Sequence, residues 1–284
     1  MRNMRNVRGL ERLMSLLAII VIGFRGGDVT LLADDAPDPQ RASPALIKMQ
    51  GEMSKIKFAV IREKGKELGA ELKSEPILRY TDPQRAFPDA GLWIWTIDGL
   101  PVGFSKLERL GNATAPSWQY CLSVASDDQV AVRWTEGITW KSREAAFKFR
   151  GTNDKEIPQK TAALRLAQLR NIANRFRATT YVRGADREEM RLLAQPIHRY
   201  ANSELSVVDG AVFGLVSNGT NPDALLLVQV RQSGKDRETV WEYGCLGMTG
   251  DEVVFELDDK KAFDHKGALT PGDYGHWVWL VLRE

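Results

Sequence analysis

With two cysteines in 284 residues (Cys121 and Cys245), the chain has no disulfide framework, and packing must hold its core. Histidine is as scarce: His198, His265 and His276 are the three present. None stands in an H-E-x-x-H or comparable spacing, so neither a metal nor any other cofactor is expected. A G-x-S-x-G elbow, a phosphate-cradling P-loop and a dinucleotide glycine pattern are all missing, which leaves common hydrolase and nucleotide-dependent chemistries without a motif. The apolar run Leu13 to Phe24 has 12 residues, whereas a helix crossing a bilayer needs about 20. Lys and Arg nowhere cluster without interleaved acids. Displacing counterions from a duplex needs such a cluster, so nucleic acid is not an expected partner.

What is there is a globular composition, 43% hydrophobic and 27% charged, which predicts a packed core and excludes general disorder. Arg2, Arg5, Arg8 and Arg12 ahead of the short apolar run form the pattern of a secretory signal peptide. Residues 1–33 are expected to be that peptide, with cleavage after Ala33 and an acidic, Pro-rich linker at 34–42. Without residues 1–33 the formal charge moves from +2 to −1, so the basic balance belongs to the targeting segment. The expected location is the periplasm or cell envelope, with no stable membrane span in the mature chain.

Internal similarity organises the remainder. Glu71 to Tyr80 (ELKSEPILRY) matches Arg191 to Tyr200 (RLLAQPIHRY) at an offset of 120, and Asp89 matches Asp209 at the same offset. Trp118-Gln119-Tyr120 matches Trp241-Glu242-Tyr243 at 123, which implies a three-residue insertion in the second copy. Two tandem units follow, 43–140 and 158–284, joined by a charged linker at 141–157.

Each unit is expected to open with a helix. Ser43 before Pro44 is a start signal, and Leu46, Met49, Met53, Ile56 and Val60 form an apolar stripe. The second helix is expected near Pro158, with Ala162, Leu166, Leu169, Ala173 and Phe176 as its stripe. Short strand-like runs separated by turn residues follow. In the second unit these are Pro196–Tyr200, Ala211–Val216, Leu225–Arg231, Val240–Met248 and Val253–Leu257. Such short connections suit hairpins. The predicted fold class is therefore α+β: two repeats, each one helix followed by a mostly antiparallel meander of four to five strands. His276 to Leu282 adds a last, apolar strand.

Candidate functional residues are few. Arg79 and Arg199 in the Pro-Ile-x-Arg-Tyr elements could bind an anion bidentately, although retention in both copies favours a scaffold role. Trp118 with Tyr120, and Trp241 with Tyr243, share strand faces and could stack on a sugar ring; core packing is the competing reading. Asp273 and His276, three residues apart, are the nearest approach to an acid–base pair, and a turn hydrogen bond explains them equally well. Cys121 lies three residues after its Trp and Cys245 four after its own, so the two are not equivalent positions, and buried free thiols are expected over a bridge. The acidic pairs Asp127-Asp128, Asp251-Glu252 and Asp258-Asp259 are expected at solvated turns. Asn112-Ala113-Thr114 and Asn218-Gly219-Thr220 match the glycosylation acceptor pattern.

From Leu166 to about Leu257 the chain resembles an uncharacterised family of exported proteins of planctomycete-type bacteria. The residues that carry this are LAQLRNIANRF, RLLAQPIHRY, Asp209-Gly210-Ala211-Val212-Phe213, and Leu225 to Arg231 before Trp241-Glu242-Tyr243. The resemblance implies an envelope location and no catalytic residues. The expected function is a non-catalytic binding or scaffold protein, with an envelope protein or a glycan as partner. The alternative is a hydrolase centred on Asp273 and His276.

Overall fold

The Ser43 hydroxyl accepts a hydrogen bond from Leu46 N (3.1 Å) and Pro44 takes the first turn, so helix α1 (Pro44–Ser54) starts at its sequence signal. It buries Leu46, Met49 and Met53. The expected stripe ran further, but Ile56 and Val60 lie on the strand that follows, where the β-branched Ile-Lys-Phe-Ala-Val-Ile segment prefers extended backbone. Helix α2 (Ala162–Ala173) is capped by Thr161, later than Pro158 suggests; Ala162 is exposed and Phe176 has left the helix. The structure, a computed structural model, describes residues 43–110, 117–181, 187–233, 238–268 and 270–283. The signal-peptide and linker segments (1–42) and the acceptor pattern at Asn112 lie outside the described residues.

Strands of the first half are β1 (Ile56–Ile61), β2 (Glu67–Gly69), β3 (Glu71–Leu72), β4 (Leu78–Asp82), β5 (Phe87–Ile97), β6 (Leu100–Leu110), β7 (Ser117–Val124), β8 (Val130–Trp134), β9 (Thr139–Lys141) and β10 (Arg150–Gly151). Those of the second are β11 (Phe176–Tyr181), β12 (Arg187–Glu189), β13 (Arg191–Leu192), β14 (His198–Asn202), β15 (Val207–Val216), β16 (Ala224–Ser233), β17 (Glu238–Gly247), β18 (Glu252–Leu257), β19 (Lys260–His265), β20 (Gly272–Asp273) and β21 (Trp277–Arg283). The α+β expectation is overturned: among the described residues 54% are strand and 12% helical, so the protein is mostly β, built of several antiparallel sheets. Strand content was underestimated because β2, β3, β12 and β13 are short and charged, without the apolar alternation that marks a strand.

Two small sheets have the orders β2-β1-β8-β9 and β12-β11-β18-β19. Two large ones run β20-β21-β7-β6-β5-β3, with β4 on β5, and β10-β17-β16-β15-β13, with β14 on β15. The strand that closes each large sheet comes from the other half. β10 follows β9 of the first half yet pairs with β17, placing Arg150 opposite Tyr243. β21 follows β19 of the second half yet pairs with β7, placing Leu280 opposite Tyr120. The segment expected as a linker at 141–157 therefore supplies a strand to the second large sheet.

Turn chemistry fixes the long hairpins. Asp98 and Gly99 both hold positive φ between β5 and β6, the requirement of a two-residue turn matched to strand twist. Three cores result. One packs α1 and the first small sheet against one face of the first large sheet, around Met49, Met53, Phe58, Trp93 and Trp118. A second repeats this around α2 with Leu169, Phe213, Trp241 and Phe255. The third lies between the two large sheets, where Ile94 and Phe104 meet Val212, Leu225, Leu227 and Met248.

Because β21 completes the first large sheet, residues 43–157 alone should not fold. Expressed as a fragment, they are expected to show no cooperative urea transition by far-UV circular dichroism; a sharp transition would contradict the strand exchange.

Candidate functional site

Strand alternation aims Phe104, Lys106 and Glu108 of β6 at the second large sheet, with Leu107 in the opposite core. Across the ladder, Lys106 stands opposite Cys121 and Cys121 opposite Trp279, while Glu108 stands opposite Gln119. One end of an otherwise apolar interface thus becomes polar. Lys106 Nζ donates to the carbonyls of Pro222 (3.2 Å) and Met248 (3.0 Å), and lies 3.4 Å from Glu108 Oε1. Glu108 accepts from Tyr80 Oη (2.8 Å) and Gln119 Nε2 (2.6 Å). Ser123 Oγ donates to Gly247 O (2.6 Å), Asn221 Nδ2 to Asp82 (2.9 Å) and Arg85 Nη1 to Asp223 (2.6 Å). Lys106, Glu108 and Asp223 are 3%, 2% and 1% exposed, so each charge depends on these partners for the solvation it has lost.

Beside this seam opens a pocket of about 330 Å³, lined by Arg85, by Lys106, Glu108, Gln119, Cys121, Trp277 and Trp279 of the first large sheet, and by Thr249 and Asp251 after β17. The indole N–H groups of Trp277 and Trp279 have no protein partner. Burial would lift the Asp223 carboxyl, but Lys106, Arg85 and Ser217 together hold it below the ordinary carboxylate range. Asp251 goes the other way, raised by burial with Arg85 only partly opposing. Burial pushes the Cys121 thiol up to about 12 although Lys106 opposes it, which keeps it protonated and unsuited to nucleophilic attack.

The corresponding positions of the second half differ. Register places Leu227 where the first half has Lys106, Gln229 for Glu108, and Gly244 for Cys121. The polar triad persists with its roles exchanged: Tyr200 Oη donates to Gln229 Oε1 (3.2 Å), and Gln229 Nε2 to Glu242 (2.9 Å). At these three positions the lysine, the carboxylate and the thiol occur in the first half and not in the second.

The residues singled out from sequence lie elsewhere. Arg79 pairs with Asp89 (3.0 Å) and Arg199 with Asp209 (2.6 Å), so each guanidinium serves a carboxylate of its own half. Trp118, Tyr120, Trp241 and Tyr243 are buried in the two helix-side cores. Tyr120 Oη donates to Glu52 (3.0 Å) and Trp241 Nε1 to Glu156 O (2.7 Å). Asp273 accepts from Trp140 Nε1 (2.7 Å) and Gly275 N (2.8 Å), which is a turn contact, while His276 reaches His265 (3.2 Å). Cys121 and Cys245 are buried and unpaired. Sequence reading missed Lys106 and Glu108 because charges at alternate positions of a strand resemble its solvent face. Their mismatch with Leu227 and Gln229 was the available signal.

Comparison with family models, curated proteins and solved structures finds no match. Among the described residues no group of three or more His, Cys, Asp or Glu side chains could hold a metal ion. Nor is any described helix long and apolar enough to cross a membrane.

Removing one member of a buried ion pair costs about 3–5 kcal/mol, so Lys106→Leu alone should destabilise the protein by that order. Adding Glu108→Gln reproduces the second half's residues and should recover at least about 1 kcal/mol. Urea midpoints of the single and double variants measure this coupling; simple additivity would contradict it.

Proposed function

We propose that the protein is an exported, non-catalytic binding or scaffold protein of the periplasm or cell envelope, related to the uncharacterised planctomycete-type family, and that it binds its ligand in the pocket between the first large sheet and the turn after β17. The observation that carries this reading is the asymmetry of that pocket: Lys106, Glu108 and Cys121 replace Leu227, Gln229 and Gly244 at matching ladder positions. In a chain read as an internal duplication, scaffold residues persist in both copies, and a site can be built in one. Trp277 and Trp279 line the pocket with their rings, and Arg85 brings a guanidinium and Asp251 a carboxyl group to it. A small polar ligand rich in hydroxyl and carbonyl groups, such as a glycan unit or a peptide end, matches that set. Catalysis is not part of the proposal, since Asp273 and His276 are each engaged with other partners.

Screening a glycan and peptide array with the mature protein tests this. A hit is expected to bind with a change in tryptophan fluorescence, and Trp279→Ala, which removes one ring from the pocket lining, should weaken it about tenfold, equivalent to about 1.4 kcal/mol. Uniformly negative arrays would overturn the small-ligand reading in favour of a protein partner or a purely structural role.

A further inference from the structure

Directly behind the pocket wall, two histidines bridge the second half to the exchanged strand. His265 ends β19 and is fully buried, its ring lying over Gly247, where an added Cβ would meet it at 2.2 Å. His276 precedes β21. A continuous chain of contacts runs from the pocket rim to the C-terminal turn: Thr249 O to His265 Nε2 (3.0 Å), His265 Nδ1 to His276 Nε2 (3.2 Å), and His276 Nδ1 to Tyr274 O (3.2 Å). Trp277, part of the pocket wall, packs on His265 with ring centroids 5.0 Å apart.

Counting protons along this chain gives an imbalance. Both ends are carbonyl oxygens, which only accept, and the middle contact joins two ring nitrogens. Three contacts need three protons, yet two neutral imidazoles carry two. A neutral pair that keeps its middle contact can therefore bond Thr249 O or Tyr274 O, not both; bonding both carbonyls leaves two bare ring nitrogens facing each other. In one arrangement His265 Nε2–H holds Thr249 and His276 Nε2–H closes the middle contact, leaving Tyr274 O with the backbone N–H of His276 alone (3.0 Å). In the other, His276 Nδ1–H holds Tyr274 and His265 Nδ1–H closes the middle, leaving Thr249 O free for a ligand's donor. A third proton satisfies all three contacts.

We propose that His265 and His276 act as a single proton-sharing switch that couples the rim of the binding pocket at Thr249 to the exchanged C-terminal strand. The inference of a switch stands on the contact chain; its role in ligand capture rests on the pocket reading above. Around the pair, Asp264 and Glu252 favour added positive charge, whereas Arg143 opposes it at His276. Burial acts first at both rings, lowering His265 and taking His276 down to about 4. At neutral pH the pair is thus in its two-proton state, and the third proton enters in acid. The sign for stability follows. The folded pair binds fewer protons than two unfolded histidines of pKa about 6.5. Its stabilising contribution is complete above that value and declines as pH falls toward 4.

Nitrogen-15 histidine spectra of the mature protein, recorded without ligand from pH 7.5 to 3.5, test the switch directly. All four ring nitrogens of the pair should move together in one uptake centred at least one unit below 6.5, and the Trp277 indole resonance should follow with the same midpoint. In His276→Gln that shared step should vanish, and His265 should titrate with a different midpoint. The proposal fails if the two rings titrate independently near 6.5, or if the Trp277 indole ignores the uptake. Because no ligand is used, this failure is separable from an empty ligand array, which would remove the pocket reading and leave the proton switch standing.

Discussion

Reciprocal exchange of strands between the halves is the constraint on which the rest of this protein depends. An antiparallel sheet leaves a row of unpaired N–H and C=O groups at each edge, and an exposed edge is an invitation to the wrong partner. Here β21 runs along β7, and the two residues of β10 pair with Glu242 and Tyr243 of β17, each arriving from the opposite half. Neither large sheet is finished until the whole chain is in place. The apolar faces of Ile94, Phe104, Val212 and Leu225 then close against each other as a third core.

Polar chemistry at one end of that core gives the interface its direction. An apolar contact alone tolerates sliding, whereas Lys106 reaches two specific carbonyls, and Ser123 a third, only in one register. Buried ionic groups of this kind contribute little net stability and cost much when half removed. Their place beside an open pocket, with Leu227 and Gln229 as the counterparts across the interface, connects the seam to the proposed binding role. The same wall carries Trp277, and behind it the two histidines tie the exchanged strand to Thr249. Packing, recognition and proton chemistry thus meet where β21 crosses over.

Much of the local structure was legible in the sequence. Ser43-Pro44 marks a helix start because cap chemistry is encoded by adjacent residues. The apolar run from Trp277 onward could be recognised as a strand. Its partner β7 could not, because Trp279 lies 158 positions beyond Cys121 opposite it, and composition carries no address. The fold class was misjudged where short charged strands such as Arg187–Glu189 lack alternation. Of the site, Asp273 and His276 were noticed for their spacing, but their true partners, Trp140 and His265, come from distant segments. Lys106 and Glu108 looked like surface charge until the sheets were brought together.

If exchange makes the two halves one cooperative unit, they must open together. Native-state hydrogen exchange under increasing denaturant measures this strand by strand. Amides of β7 and β21 are expected to converge on the same opening free energy as those of β16 and β17. Two separate plateaus, with one half opening while the other stays protected, would contradict the account.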